Sequence, residues 1–529
     1  MNDTRNPLNE TGVSRRNVLR GTAAGLVGIS FAGLLASCDA SPGSNGTTGK
    51  TKLGGILRVG ISGGSARDTI DAHDPNSHAD VARLIQLYEP LAQQNADYKM
   101  EMVLAESIEP GIKADEWTIR LKAGIVFHDG KPLTADDLIY SLRRITDPKN
   151  PRVGAASLAD VDPEALTKVD GRTVRLKLKR ENAAFLSLLG QYFNVIVPVG
   201  YDPKRPVGTG PFKYKSFTAG EQSEFVKNES YWRKGEPFVD SVVIINISDP
   251  EARVSALMAG QVDAIDDLPT SKIKAIESRS DLRVLEAETG NWTPFTMRVD
   301  SAPFSNVDVR QAFRLLVNRE EMITQALGGH GDVGNDLFGR FDPAYAKDLP
   351  QRQYDPDQAR SLLKRAGQSD LSVELVTAPV AGGVVELAQV FAQQAQKVGV
   401  TVNVRKLDVG TFYGDDYLRW GLSQDYWTTR DYLAQVAQSM TPGSPFNQTH
   451  WDDAEYLRLY GEALKALKPN TRNEIIHEMQ KIEWDRGGYI IPAFGRQLDA
   501  CSKKLTGYVP AKTGRPLSNY CFRQFAFEG

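Results

Sequence analysis

Two segments of the chain alternate strand, helix and strand, and this order restricts the possible fold more than any other feature. Aliphatic, β-branched runs at residues 242–247 and 262–265 flank a helix that Asp249 can cap. Residues 371–407 repeat the order, with a helix that ends at Gly399 before the second strand. Parallel neighbours in a sheet require a crossover connection of this kind. The sequence therefore predicts an α/β protein whose sheets are largely parallel.

Other helix boundaries are marked by local signals. Thr134 is followed three residues later by Asp137, which is a capping-box pattern. Asp355-Pro356 supplies a cap followed by proline at the first helical position, and Gly367 ends that helix. These signals predict helices that begin near residues 135 and 356.

Length and composition limit the class of protein. At about 100–200 residues per domain, a chain of 529 residues contains more than one structural unit. Its 63 Lys and Arg residues nearly balance its 66 Asp and Glu residues, which argues against a nucleic-acid binder that uses a basic surface. Six His and three Cys are too few for an elaborate metal or disulfide scaffold.

The N-terminal residues indicate export and lipid anchoring. Ser14-Arg15-Arg16-Asn17-Val18-Leu19-Arg20 resembles a twin-arginine export motif, and the uncharged stretch after it resembles the apolar part of a signal peptide. Leu35-Ala36-Ser37-Cys38 resembles the lipobox of bacterial lipoproteins, in which cleavage before the cysteine leaves its thiol carrying diacylglycerol. We expect a signal peptide at residues 1–37, then the lipidated Cys38 and a flexible Gly- and Ser-containing tether over residues 38–53. A transmembrane anchor is the alternative, and both hypotheses place the globular part outside the cytoplasmic membrane.

Several motifs follow one another in the order of a known family. They are Trp117-Thr118-Ile119-Arg120-Leu121-Lys122, Phe127-His128-Asp129-Gly130-Lys131-Pro132-Leu133-Thr134-Ala135-Asp136-Asp137, Gly208-Thr209-Gly210-Pro211-Phe212, Asn228-Glu229-Ser230-Tyr231-Trp232, Ala256-Leu257-Met258-Ala259-Gly260-Gln261-Val262-Asp263 and Val309-Arg310-Gln311-Ala312-Phe313. Together they resemble the peptide/nickel-binding family of ABC-importer substrate-binding proteins. The set covers nearly all of the chain after the tether.

This resemblance implies an α/β, two-lobed periplasmic-binding-protein-like fold of type II, cluster C, with a hinge and an extra subdomain inserted in the N-terminal lobe. Lobe I is then expected at residues 54–85, 205–290 and 486–529, the inserted subdomain at 86–204, and lobe II at 291–485.

The resemblance also implies a function. The protein is expected to be a monomer that captures a peptide or peptide-like solute between its lobes and delivers it to an ABC permease, while separate subunits hydrolyse ATP. We expect no cofactor, no nucleic-acid partner and no enzymatic activity.

Candidate ligand-binding residues come from the same resemblance. In peptide-binding relatives a Trp of the second lobe is followed three residues later by an Asp that pairs with the peptide ammonium. Here Trp427 fits the aromatic position, after Tyr426, but Arg430 stands where the Asp is expected. A guanidinium there favours a carboxylate or phosphate. Asp431 can take the role after a one-residue shift, and Arg430 facing solvent or pairing with a neighbouring acid remains an alternative.

Two further residues are candidates for the pocket. Trp292 lies where the chain is expected to cross into lobe II, with packing in the core as the alternative. Ser62 lies in Gly60-Ile61-Ser62-Gly63-Gly64, which matches the nucleophile-elbow pattern of hydrolases. An elbow needs a helix directly after the serine, and the following residues predict a loop, so we interpret Ser62 as a pocket-lining residue. A secreted hydrolase, and a receptor or chaperone that feeds no transporter, are the rival functions.

Two groups of residues have side chains that can bind metals or undergo oxidation. We expect no metal site at the cluster of histidine and aspartate residues His73, Asp74, His78 and Asp80, because Asp74-Pro75 predicts a turn with solvated polar groups. Cys501 and Cys521 are the cysteines that follow Cys38, and the sequence leaves open whether they are two thiols or a disulfide.

Overall fold

The computed structural model describes residues 51–529, and its largest sheet is mixed. The eight strands are Ile56–Ile61, Phe212–Thr218, Gln222–Lys227, Ser241–Asn246, Ala264–Ile265, Leu282–Trp292, Gly331–Val333 and Ala493–Ser502. The parallel pairs are those of Ile56–Ile61 with Ser241–Asn246 and with Ala264–Ile265. The other pairs are antiparallel. The prediction of a largely parallel sheet is therefore wrong here, because most strands arrive through hairpins or from distant segments instead of helical crossovers.

A second sheet has five strands and contains the crossover that the sequence predicts. Its strands are Phe295–Met297, Ser372–Thr377, Thr401–Lys406, Leu422–Gln424 and Tyr489–Ile490. Ser372–Thr377 and Thr401–Lys406 run parallel, and the helix Val384–Gln396 connects them. Leu375 of the first strand is buried in one hydrophobic cluster with Leu387 and Phe391 of that helix.

A third sheet of four antiparallel strands forms with one helix a separate hydrophobic core. The strands are Ala105–Pro110, Glu116–Leu121, Val161–Lys168 and Thr173–Leu178. The helix is Ala135–Ile145, and the Asp137 carboxylate accepts hydrogen bonds from the Thr134 backbone N–H at 2.9 Å and hydroxyl at 2.7 Å. The capping box predicted from the sequence is confirmed. Two small sheets complete the strands: Ala92–Gln94 with Met100–Met102, and Thr51–Lys52 with Ala526–Glu528 and Leu505–Thr506.

The remaining α-helices surround these sheets. They are His78–Leu87, Phe185–Leu189, Pro250–Met258, Ile273–Glu277, Val307–Leu315, Arg319–Ala326, Pro356–Arg365, Val409–Phe412, Tyr432–Ser439, Ala454–Lys465 and Pro469–Arg486. Short 3₁₀ turns occur at Val153–Ala155, Thr270–Lys272 and Phe522–Gln524. Asp355 caps its helix as predicted, accepting from the Gln358 N–H at 2.8 Å. Within residues 51–529 no helix has the length and apolar character that crossing a membrane requires.

The segment Pro516–Tyr520 turns in the left-handed sense. Leu517, Ser518, Asn519 and Tyr520 have φ angles of 47°, 58°, 63° and 56°. Non-glycine residues adopt this region at a cost, so four in succession need support from their surroundings. The Asp499 carboxylate accepts from the Leu517 N–H at 2.6 Å, and the Ser518 hydroxyl accepts from a neighbouring backbone N–H at 2.8 Å.

One buried carboxylate balances several buried arginines near the second sheet. Asp336 is fully buried and lies 2.8 Å from both Arg319 and Arg352. Arg314 is 3.9 Å away and also fully buried. Burial raises the Asp336 pKa, but the guanidiniums of Arg319 and Arg352 outweigh it and keep the pKa below its usual range. A single carboxylate therefore offsets much of the positive charge in this region.

Candidate ligand-binding site

The segment from Tyr426 to Asp431 follows the end of the strand Leu422–Gln424 and lies against the large sheet. Trp292 and Trp427 exchange two backbone hydrogen bonds of 2.9 Å, which joins the two segments. Their indole rings stack at 6.0 Å, and Phe338 stacks on the other side of Trp292 at 5.4 Å. Trp292 is 3% exposed and Trp427 is 6% exposed. Trp292 therefore packs against Trp427, and direct contact of Trp292 with a ligand stays a prediction.

Arg430 lies over the Trp427 ring, with Cζ 5.1 Å from the ring centroid. Its Nη1 atom and the indole nitrogen of Trp427 are both buried without a hydrogen-bond partner. Burial lowers the Arg430 pKa, and only phenol groups oppose this shift. Arg430 pairs with no carboxylate among residues 51–529, Asp431 included. The site therefore contains two buried donors without a partner in the described chain, and the charge of one of them favours a negatively charged acceptor.

Asp431 contacts a residue from a distant part of the chain. It precedes Tyr432–Ser439, and its carboxylate lies 3.5 Å from the side-chain nitrogen of Gln94. Burial raises the Asp431 pKa to about 6, and Asp342 adds to the rise, while hydrogen bonds from Ser187 and Tyr98 oppose it. Asp431 is therefore a carboxylate held by neutral groups, and its alternative role as an ammonium anchor stays a prediction.

Tyr426 is 42% exposed. Charged groups from other parts of the chain lie near its phenol. Burial raises its pKa, and the charges of His78 and Arg430 lower it, which places both cations near the phenol. Tyr192 also contributes to this shift. Tyr426 therefore lies between the Arg430 side of the site and the helix that begins at His78.

Ser62 follows the strand Ile56–Ile61 and lies in a cluster with His78 and two aspartates. Its Oγ lies 3.1 Å from His78 Nδ1, 2.9 Å from Asp266 Oδ2 and 2.9 Å from Asp267 Oδ2. His78 Nδ1 is itself 3.0 Å from Asp267 Oδ2. In a catalytic triad the two imidazole nitrogens separate the serine from the carboxylate. Here the same nitrogen faces both, and no helix begins between Ser62 and His78, so this arrangement is not a nucleophile elbow.

The charges in this cluster are those of an ion pair. Enclosure in the cleft lowers the His78 pKa, but the carboxylates of Asp267 and Asp266 outweigh it and raise the pKa well above its usual value. For Asp267 burial raises the pKa, and His78 overrides it to leave the pKa below its usual range. His78 is therefore an imidazolium near neutral pH and not a general base.

The four residues considered for a metal site separate in the structure. His73 is fully buried and bonds the Val195 carbonyl at 2.9 Å, while Asp74 pairs with Arg152 and Asp80 pairs with Arg83 at 2.7 Å. His78 instead joins Asp266 and Asp267, and the ligand atoms of these three lie within 4.8 Å of one another. The sequence missed both aspartates, because Asp266 is 204 residues from Ser62 and no local motif marks it.

The sequence also missed Arg515. Its Cζ lies 5.0 Å from the centroid of the Tyr192 ring, and its Nε is buried without a hydrogen-bond partner. Burial lowers its pKa, and Tyr192 and Tyr98, which also influence Arg430, oppose the shift. Cys501 and Cys521 are free thiols in the structure. Cys38, Arg15 and Arg16 lie outside the described residues.

Comparison with known proteins identifies the family. The model of the bacterial extracellular solute-binding proteins, family 5 (Middle), matches residues 99–447. The chain belongs to this family. Two curated relatives of the family 5 protein are each 26% identical to it. Glutathione-binding protein GsiB of Escherichia coli (strain 536) aligns over 476 residues, which are 85% of this chain and 91% of GsiB. Heme-binding protein A of Haemophilus influenzae aligns over 473 residues, which are 81% of this chain and 85% of the relative.

Solved structures confirm the fold of this family 5 protein. The binding protein AgaA of A. tumefaciens R10, in complex with agropinic acid, has a TM-score of 0.74 at 23% identity and covers 90% of this chain and 99% of its own. The periplasmic binding protein DppA of Helicobacter pylori, in complex with the peptide STSA, has a TM-score of 0.75 at 19% identity with the same coverage. The predicted two-lobed, type II α/β fold is confirmed, and the protein is an extracytoplasmic solute-binding protein.

Proposed function

We propose that this protein is the lipid-anchored substrate-binding component of an ABC importer and that it captures an acidic, peptide-like solute. The solute lies between the lobes at residues 54–85, 205–290 and 486–529 and at residues 291–485, and Cys38 carries the anchor. The protein acts as a monomer without a cofactor and catalyses no reaction. Closure around the solute provides the difference in affinity that delivery to a permease requires.

The observation that carries this proposal is the Arg430 guanidinium, whose Nη1 atom is buried without a hydrogen-bond partner among residues 51–529. It stacks on Trp427, and within the described chain it has no carboxylate partner. An isolated charge is costly to bury unless a ligand compensates it. A carboxylate matches the guanidinium geometry with two parallel hydrogen bonds. An ammonium at this position would meet a like charge, which disfavours an amine-first orientation of a peptide.

The ligands of relatives support the acidic character. Glutathione, the ligand named for GsiB, carries two carboxylates, and agropinic acid, bound to AgaA, is an acid by name. Tyr426, Trp427 and Ser62 supply the aromatic and polar surroundings that such a solute needs.

Native mass spectrometry of the protein, purified from membranes without a denaturation step, tests the proposal. We expect a non-covalent adduct that dissociates at higher collision energy and whose accurate mass matches a carboxylate-bearing amino-acid conjugate. A bound solute that lacks any acidic group contradicts the proposal. Turnover of ester or peptide substrates by the same preparation, abolished in Ser62→Ala, would instead support the hydrolase.

A further inference from the structure

A cavity of about 240 Å³ lies beside the candidate site, and Arg515 lines it. Gln93 and Gln94 of the strand Ala92–Gln94 line it. Tyr192 and Asn519 line it with Arg515. Tyr192 is the ring that Arg515 covers and also influences Arg430, so the cavity adjoins the site already described.

Two of the three arginines that line this cavity have an acidic partner, and Arg515 has none among residues 51–529. Arg233 pairs with Glu101 at 3.1 Å, and Arg523 pairs with Glu236 at 2.7 Å.

Glu89 needs no cation to satisfy the hydrogen bonding of its carboxylate, because three neutral groups donate to it. They are the Tyr231 hydroxyl at 2.7 Å, the Trp232 indole N–H at 2.8 Å and the Thr209 hydroxyl at 2.9 Å. Asp97 is exposed at the surface. Arg515 forms no ion pair with any residue from 51 to 529, and its Nε is buried without a partner. Glu89 and Asp97 add negative charge to the lining, but the hydrogen bonds of Glu89 are satisfied and Asp97 is screened by solvent. Among the charged residues that line the cavity, Arg515 therefore combines a buried, unpartnered donor with the lack of an ion pair within the described chain.

The backbone holds Arg515 in place. Pro516 follows it and fixes the chain direction, and the left-handed turn begins at Leu517, held by Asp499. Strained backbone of this kind persists where the surroundings determine it, and it is concentrated at functional sites. The guanidinium is thus presented on a rigid support instead of a loose loop.

We propose that Arg515 and this cavity form a second anion-binding subsite, so that the solute carries two acidic groups, one held by Arg430 and the other by Arg515. This inference rests on the proposed function and narrows it to a dianionic, peptide-like solute. Tyr98 and Tyr192 lie near both guanidiniums. A carboxylate is the group that suits each planar guanidinium.

Short synthetic peptides in matched pairs test the proposal, one member of each pair carrying glutamate where the other carries glutamine. Calorimetric titration measures the affinity of both members for the wild type and for Arg515→Gln. We expect the wild type to bind a glutamate member at least about tenfold more tightly, since a charge-paired contact is lost in its partner. In Arg515→Gln this preference falls to within about twofold, while affinity for the glutamine member changes little.

Three further variants make the result specific. Lys512→Gln removes a cation of the same segment, one that lies over Phe341, and should keep the preference. Arg515→Lys keeps the charge without the planar fork and should keep part of the preference, which also serves if Arg515→Gln fails to fold. Arg430→Gln should weaken both members alike, because it removes the anchor that they share. Thermal unfolding without peptide checks that each variant is folded.

Two results overturn the second subsite: equal affinity of the wild type for both members of every pair that it binds, or a preference that survives in Arg515→Gln. Binding of no pair by the wild type contradicts the proposed function itself and the inference with it. An effect of Arg515→Gln without any effect of Arg430→Gln would retain the cavity subsite and contradict the Arg430 anchor.

Discussion

Replacing Arg430 with methionine should weaken solute binding strongly without weakening the ligand-free fold. Methionine keeps most of the length of the side chain and can still contact the Trp427 ring, but it removes the guanidinium. Loss of one partner of a buried, hydrogen-bonded charge pair costs about 2–5 kcal/mol of binding free energy. Arg430→Met should therefore raise the Kd of an acidic solute by about 30-fold to a few thousandfold.

The free energy of unfolding of the ligand-free protein should increase or stay unchanged. The lost cation–π contact is worth about 0.5–2 kcal/mol, and a methionine–aromatic contact returns about 0.3–1.5 kcal/mol. These two contributions nearly cancel. The variant also no longer buries a charge that lacks a carboxylate partner within residues 51–529, and burial disfavours that charge, as the lowered Arg430 pKa indicates. Ligand-free Arg430→Met should therefore be at least as stable as the wild type.

Isothermal titration with the co-purified solute gives the two affinities, and thermal unfolding of solute-free protein gives the stabilities. Arg419→Met is the matched control, because Arg419 is 72% exposed and pairs with a similarly exposed Asp416. It should change neither quantity beyond the small contribution of a surface ion pair. An Arg430→Met affinity within about twofold of wild type would place Arg430 outside the site. A marked loss of ligand-free stability would show that Arg430 has a structural role.

Four other changes have defined outcomes. His78→Gln should flatten the alkaline part of the stability profile: the raised His78 pKa stabilises the fold fully below its unfolded value of about 6.5, and this contribution disappears as pH rises through the folded pKa. Identical alkaline profiles by thermal unfolding would contradict the ion pair. Asp336→Asn should lower the free energy of unfolding by about 3–5 kcal/mol, because buried arginines lose their counter-charge, and a loss below about 1 kcal/mol in denaturant titration would refute this. Cys38→Ala should abolish lipid labelling, and wild type that carries no lipid would contradict this prediction. Changing Arg15 and Arg16 to Lys should block export, and normal export of this variant in cell fractionation would contradict the twin-arginine route.

Local signals in the sequence predicted several elements correctly. Thr134 with Asp137, and Asp355 with its following proline, marked helices that begin where expected, because capping depends on groups within three or four residues of each other. The crossover through Val384–Gln396 was also predicted, since its periodicity and its terminal glycine are local. The largely antiparallel pairing of the large sheet was not predicted, because partner choice depends on strands far apart in the chain.

The candidate site was likewise predictable from the sequence only in part. The sequence determined which residue types follow Trp427, and so the replacement of an expected carboxylate by the guanidinium of Arg430 was visible without a structure. Tertiary structure decided that Nη1 of this guanidinium is buried without a partner in the described chain, and that Tyr192 lies near both Arg430 and Arg515. It also decided that His78 meets Asp267, a residue on another segment. Burial and counter-charge are properties of packing between distant segments, and they set the charge that a ligand must bring.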